Sequence, residues 1–180
     1  MDISQYGDLF VSEEDSKTTY YNKKGTKIYE TDDLKLQAVS PGKYIVTEKI
    51  TENENQEVEP DYQFKLIDKD GIQIDNITGA ETVQANGEDL IIYKANNKFG
   101  LIDSSLNVVT KNIYKDLNVN KFSCIASDKS GTNYGIITKN GEELVSMEYL
   151  EANYVAKRDN YEMILLKKDG TWKLAIIEKE

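Results

Sequence analysis

A short phrase returns along this chain at a near-constant interval: an aromatic residue, one further position, an aliphatic pair, then a polar turn. It occurs as Phe64-Lys65-Leu66-Ile67-Asp68-Lys69-Asp70-Gly71, as Phe99-Gly100-Leu101-Ile102-Asp103, and as Tyr134-Gly135-Ile136-Ile137-Thr138-Lys139-Asn140-Gly141. The aromatics stand at 64, 99 and 134, a spacing of 35 twice over, and Trp172-Lys173-Leu174-Ala175-Ile176 follows 38 residues later. A period of this size marks a repeat architecture, in which each unit buries its apolar face only against its neighbours.

The unit is clearest between residues 121 and 145. Lys121 to Asp128 gives an apolar strand, Lys129-Ser130-Gly131-Thr132-Asn133 turns the chain, Tyr134 to Thr138 is a second strand, Lys139-Asn140-Gly141 a second turn, and Glu142 to Val145 a third strand. Gly-containing turns between β-rich runs are hairpin signals, so the unit is a three-stranded antiparallel meander. Copies fall at 89–110 and 44–75, a degenerate copy at 8–30, and an incomplete one at 162–177, which stops before a third strand. Leu106 stands where its neighbours have Gly, which predicts a looser turn there. Tyr114-Lys115-Asp116-Leu117 and Met147-Glu148-Tyr149-Leu150 are echoing links between units, and Tyr6-Gly7-Asp8-Leu9 resembles them.

Within the middle strand, Phe99 and Leu101 face one way while Gly100 and Ile102 face the other. Apolar groups on both faces require sheets stacked on sheets, and Gly at the second position lets an adjoining layer come close. No stretch holds a 3.6-residue apolar period. The expected fold is therefore all-β, about five meander units in one domain spanning 1–180, with approximate units 6–43, 44–88, 89–120, 121–160 and 161–180. A β-propeller-like ring is the preferred arrangement, with an open β-solenoid or twisted meander stack as the alternative.

Chemistry is sparse. The 180 residues include no His, so Ser-His-Asp and Cys-His arrangements and His-based zinc sites are excluded. The lone Cys124 lies in an apolar strand and reads as a buried small hydrophobe. Asp68-Lys69-Asp70-Gly71 opens like a calcium loop, but the required Gly position falls on Gln73 and the Glu position on Gly79, so it reads as a hairpin turn. No cofactor and no metal is expected. With 22 basic against 32 acidic residues, a net charge of -10 and no basic run, nucleic acid is not an expected partner. No apolar stretch reaches the length of a membrane span. The start, Met1-Asp2-Ile3-Ser4-Gln5, has neither a basic nor an apolar signal region. Abundant Lys, Asn, Ile, Tyr and Glu with scarce Pro, Trp and His resemble a low-GC bacterial composition, and the compartment stays open: a bacterial cytoplasm, or the cell envelope or exterior if a leader or anchor is missing.

Lys98-Phe99-Gly100-Leu101-Ile102-Asp103 and Asn133-Tyr134-Gly135-Ile136-Ile137, at this spacing and with the Tyr-Asp links, resemble the bacterial WG-repeat proteins. Their unit typically reads Lys-Trp-Gly-Tyr-Ile-Asp-x-x-Gly. Phe or Tyr replaces Trp here except at Trp172, where Lys173 takes the Gly position. The resemblance covers roughly residues 44 to 177 and implies a β-repeat domain with no general enzymatic activity, often part of a larger protein. Its repeat positions, here Phe64, Leu66, Phe99, Gly100, Ile102, Tyr134, Gly135, Ile137 and Trp172, look structural.

The expectation for function is a non-catalytic module that binds a protein partner or serves as a surface spacer. An acidic insertion at 51–60, with Glu52, Glu54, Glu57 and Glu59, is the candidate interaction loop. The alternative is a carbohydrate or cell-wall binding module, since twelve tyrosines offer faces for sugar stacking. An enzyme is a distant third reading.

Overall fold

Among the described residues of the computed structural model, 2–14, 17–31, 35–40, 42–49 and 62–179, every regular element is a β-strand. Packing divides the chain into two compact units, 1–78 and 79–180, where the sequence reads as one domain.

In the first unit, β1 (Asp2–Tyr6), β2 (Leu9–Glu14), β3 (Lys17–Asn22) and β4 (Lys27–Thr31) form an antiparallel meander in chain order. A second meander follows from β5 (Lys35–Ser40), β6 (Lys43–Lys49), β7 (Tyr62–Asp68) and the start of β8 (Gly71–Ala85). Leu9, Val11, Tyr20 and Tyr29 of the first sheet pack with Tyr44, Val46 and Ile67 of the second. The fifteen-residue β8 spans the boundary between the units: its first half pairs with β7 and its last residues lead into the next meander.

The second unit continues with β9 (Glu88–Ala95), β10 (Lys98–Asp103) and β11 (Val108–Tyr114), then the sheet of β12 (Leu117–Val119), β13 (Ser123–Ser127), β14 (Tyr134–Thr138) and β15 (Glu143–Tyr149). The last sheet is β16 (Glu151–Lys157), β17 (Tyr161–Lys168) and β18 (Thr171–Glu178). Two apolar interlayers join these three sheets. Leu101 and Tyr114 meet Cys124, Ala126 and Ile137 in one, and Ile125, Ile136 and Tyr149 meet Ile164 and Leu166 in the other.

The all-β fold of repeated antiparallel meanders is what the sequence predicts, and the three expected strands are present in each complete unit. The links supply an additional strand. Thus β1, β5, the end of β8, β12 and β16 each precede a meander and pair with its first strand, and of the link residues Tyr6, Tyr114, Leu117 and Tyr149 all lie in strands.

Turn chemistry fixes the hairpins. Asn86-Gly87, Asn96-Asn97 and Asp169-Gly170 all carry positive φ at both positions, the two-residue geometry that matches strand twist. The second turn of each meander is closed by the polar residue ending the middle strand. Asn22 Oδ1 accepts the N–H groups of Lys24 and Thr26, Asp103 Oδ1 those of Ser105 and Asn107, and Thr138 Oγ1 those of Asn140 and Glu142. The Leu106 turn is not looser than its neighbours. Leu106 adopts φ 60 and donates its N–H to the Asp103 carbonyl at 2.9 Å, as Gly25 does to Asn22 and Gly141 to Thr138. Capping by Asp103 holds Leu106 in the left-handed region that its neighbours fill with glycine.

Candidate functional site

The middle strand of each meander pairs regularly with the first strand and irregularly with the third. Phe99 faces Tyr114 and Leu101 faces Thr110, so Gly100 alone opposes three residues, Lys111 to Ile113. Gly135 opposes Ser146 to Glu148 in the same way, between the pairs Tyr134–Tyr149 and Ile136–Val145. In the second meander, Phe64 faces Ile77 and Leu66 faces Ile74, so Lys65 opposes only Asp75 and Asn76. The third strand therefore bulges at the second phrase position in every one of these units.

The atoms nearest to the two glycines belong to their own sheets rather than to the adjoining layer that the sequence predicts. A Cβ on Gly135 would stand 2.4 Å from the Val145 carbonyl oxygen, inside the bulge of β15. One on Gly100 would meet the ring of Tyr93, its direct partner across β9, at 2.6 Å. Where the bulge is one residue shorter, a lysine fits: Lys65 Nζ reaches Asp75 Oδ1 at 2.9 Å and lies over the Tyr29 ring at 5.3 Å.

The aliphatic pair, rather than the aromatic, fills the interlayers. Leu101 and Ile136 at the third position face the following sheet, while Ile137 at the fourth faces the preceding one. Leu66, Leu101 and Ile136 are all at most 2 % exposed. Ile102 is buried too, whereas Phe64 is exposed and Phe99 and Tyr134 are half-buried. Two of the aromatics lie beneath a cross-strand lysine, Lys94 over Phe99 and Lys167 over Trp172.

The last sheet breaks the pattern. Leu174, the third-position residue, is 54 % exposed, with Trp172 at 44 % and Ile176 at 56 %. All three lie on one face of β18, opposite Leu165, Lys167 and Met163 respectively. The other face carries Ala175 and Ile177, which pack into the interlayer with Ile164 and Leu166. Among the described residues no strand pairs with the outer edge of β18. Beside it opens a cleft of about 500 Å³ lined by Phe122, Leu144, Ile176 and Ile177, with Lys139 and Glu88 paired at 2.5 Å on its wall. This exposed face with its free edge is the candidate functional site.

Two polar groups that sequence reasoning missed hold the scaffold behind it. Glu162 is fully buried in β17, where Oε2 accepts the Phe122 N–H at 3.0 Å and Oε1 accepts the Ser123 hydroxyl. Strand alternation puts Glu162 on the same face as Ile164 and Leu166, which is the one signal the sequence offers. Asp128 gathers the loop after β13: Oδ1 accepts the Ser130 hydroxyl and the N–H groups of Ser130, Gly131 and Thr132, and Oδ2 accepts from the Asn133 amide. The Ser130 hydroxyl, then the Asn133 and backbone donors, hold its carboxyl well below the usual carboxylate range against a smaller opposing effect of desolvation.

The remaining expected sites settle plainly. Cys124 is buried, and burial, helped by the nearby Glu162 charge, pushes its thiol up to about 12. Asp68 Oδ1 accepts the Asp70 N–H at 2.7 Å and the Gln73 amide at 3.1 Å, the bonds of a capped hairpin. Six tyrosines, Tyr20, Tyr29, Tyr44, Tyr93, Tyr114 and Tyr149, are core residues. The insertion with Glu52, Glu54, Glu57 and Glu59 lies outside the described residues. Among the described residues no group of three or more acidic or cysteine side chains converges as a metal set, and no helix is long and apolar enough to cross a membrane.

Neither a family model nor a curated protein matches the sequence. Among solved structures, a crystal structure of the eukaryotic initiation factor is 12 % identical over 97 % of this chain and 51 % of that one, with a TM-score of 0.35. The AfRom2 CNH domain is 8 % identical over 97 % of this chain and 79 % of that one, with a TM-score of 0.29. The chain spans about half the length of the first of these. Likenesses this distant carry no argument about what the chain does.

Proposed function

We propose that this chain is a non-catalytic β-repeat module of the WG-repeat type that works by binding another protein. One observation carries the reading: Leu174 is open to solvent where Leu66, Leu101 and Ile136 are buried. A contiguous apolar face of this kind marks an interaction surface rather than an ordinary solvated one. The repeat phrase supplies packing, its polar residues cap turns, and the buried tyrosines are occupied in the core. Trp172, Leu174 and Ile176 are exposed together on one face of β18, with Lys167 lying over the Trp172 ring.

Crosslinking capture with the wild-type chain against Leu174→Glu tests this. The expected result is a protein retained by the wild type and lost with the variant, while a glycan array retains neither. Retention on glycans, or capture indifferent to Leu174→Glu, speaks against a protein-binding role for this face.

A further inference from the structure

We propose that Asn86 is a site of spontaneous deamidation, and that the isoaspartate formed there releases a lysine bridge between two neighbouring sheets. The step balances with water as its only co-reactant. The Gly87 nitrogen bonds to Asn86 Cγ while the Cγ–Nδ2 bond breaks, and the peptide proton leaves with the amide nitrogen as ammonia. Water then opens the cyclic imide. Attack at Cγ gives aspartate, and attack at the backbone carbonyl carbon gives isoaspartate, whose main chain runs through the former side chain.

The sequence holds two Asn-Gly pairs, Asn86-Gly87 and Asn140-Gly141, and both asparagines are exposed. Glycine has no Cβ to shield its nitrogen, so both pairs have the local chemistry for attack. The fold separates them. Gly141 donates its N–H to the Thr138 carbonyl at 3.0 Å, and Asn140 and Glu142 on either side donate theirs to Thr138 Oγ1. Its backbone also lies close under Thr110, whose Cγ2 would stand 2.5 Å from a Cβ placed there. Gly87 has neither restraint. Nothing lies within 4 Å of a Cβ placed on it, and its N–H has no hydrogen-bond partner among the described residues. Attack at Asn86 needs only a brief local opening of the turn.

The bridge is built on the same turn. Lys139 reaches across from the β14–β15 turn of the next sheet, and its ammonium donates to Glu88 Oε2 at 2.5 Å and to the Ala85 carbonyl at 3.5 Å. Ala85 and Glu88 flank the Asn86-Gly87 pair, so Lys139 restrains the opening that the reaction requires. Isoaspartate adds a methylene to the main chain of a turn that is two residues long, and the spacing of Ala85 and Glu88 that Lys139 spans is lost. Aspartate tolerates the left-handed turn and places one more carboxylate beside the ammonium. The two products therefore act on the bridge in opposite directions.

The test is to incubate the whole chain at mildly alkaline pH in heavy-oxygen water, which labels each site where an imide opens, and to map it by mass spectrometry. Asn86 is expected to convert at least about tenfold faster than Asn140, the factor that one retained hydrogen bond supplies. In urea the two should convert alike. Lys139→Gln, which frees the turn, should speed conversion at Asn86 by up to about fivefold, the scale of one surface ion pair. Acetylation of Lys139 by an amine reagent should be slow in the wild type and in Asn86→Asp, and fast in the separated isoaspartate form. Equal conversion at the two asparagines of the folded chain, or a difference that persists in urea, overturns the site. A rate at Asn86 indifferent to Lys139→Gln, or an isoaspartate form whose Lys139 stays as protected as in the wild type, overturns its coupling to the bridge.

Discussion

The ring of Tyr93 lies across Gly100, and its hydroxyl donates to the Thr110 carbonyl on the next strand at 3.1 Å. One side chain thus spans three strands of a sheet, covers a residue that has no side chain, and pins the bulge beyond it. Gly100→Ala must displace a buried ring and is expected to destabilise the chain by about 2 kcal/mol. Tyr93→Phe keeps the ring and loses the hydroxyl with its bonds to the Thr110 carbonyl and the Asn112 backbone, about 1 kcal/mol. Because both act at one contact, the double variant should cost less than the two singles together, which urea denaturation of all four proteins measures.

Leu106 holds a left-handed backbone that glycine adopts freely, at φ 60. The penalty for a side chain there exceeds what glycine loses in unfolded-state entropy. Leu106→Gly is therefore expected to raise stability by about 0.5–1 kcal/mol, seen as an increase in the denaturant midpoint at unchanged m value. A loss of stability would show that the half-buried leucine side chain contributes more than the backbone costs.

Glu162 is the opposite case, a polar group that the core requires. Glu162→Gln keeps an acceptor for one of its two donors and is expected to cost about 1–2 kcal/mol. Glu162→Leu leaves the Phe122 N–H and the Ser123 hydroxyl without their acceptor and should cost about 3 kcal/mol. Amide exchange locates the damage: Phe122 should lose protection first in both variants, ahead of the β13–β14 ladder.

Alkaline stability follows from two buried acids. The Cys124 thiol is raised from 9.0 to about 12 by burial, and the Tyr93 hydroxyl from 10.0 to about 12, also by burial. A folded-state pKa above the unfolded one means that the unfolded chain gives up its proton first as pH rises. The stability tied to Cys124 is thus intact below pH 9, declines beyond it and is lost by about 12, and that tied to Tyr93 begins to decline near 10. In Cys124→Ala the unfolding free energy should fall less steeply between pH 9 and 10 than in the wild type. The same burial predicts that a thiol reagent at pH 8 reacts with Cys124 only at the rate of local opening.

What the sequence discloses is what is local. The alternation in Phe99 to Asp103 and Tyr134 to Thr138 places the strands within a residue or two, and Asn-Gly and Asp-Gly pairs mark the hairpins. Stacked layers follow from apolar residues on both faces, and Leu101 and Ile137 do pack in the two opposite directions. Long-range pairing is not legible in this way. The link strands, such as Leu117–Val119, are too short to show a period and exist because β13 offers an edge. Gly100 and Gly135 look alike in the phrase, yet one yields to a ring and the other to a bulge. Glu162 depends on donors about 40 residues away, which no local pattern reveals. The open face of β18 emerges only when the exposure of Leu174 is set beside that of its repeat counterparts.

The bulge in the third strand also gives the repeat a tolerance in length. A one-residue slip in an ordinary ladder would turn every following side chain to the wrong face. Here three residues of β11 or β15, but only two of β8, cross a single residue of the middle strand, and the flanking pairs still form. Residues gained or lost at that point are absorbed as slack in the backbone, so that units of unequal length can follow one another while their apolar faces stay in phase.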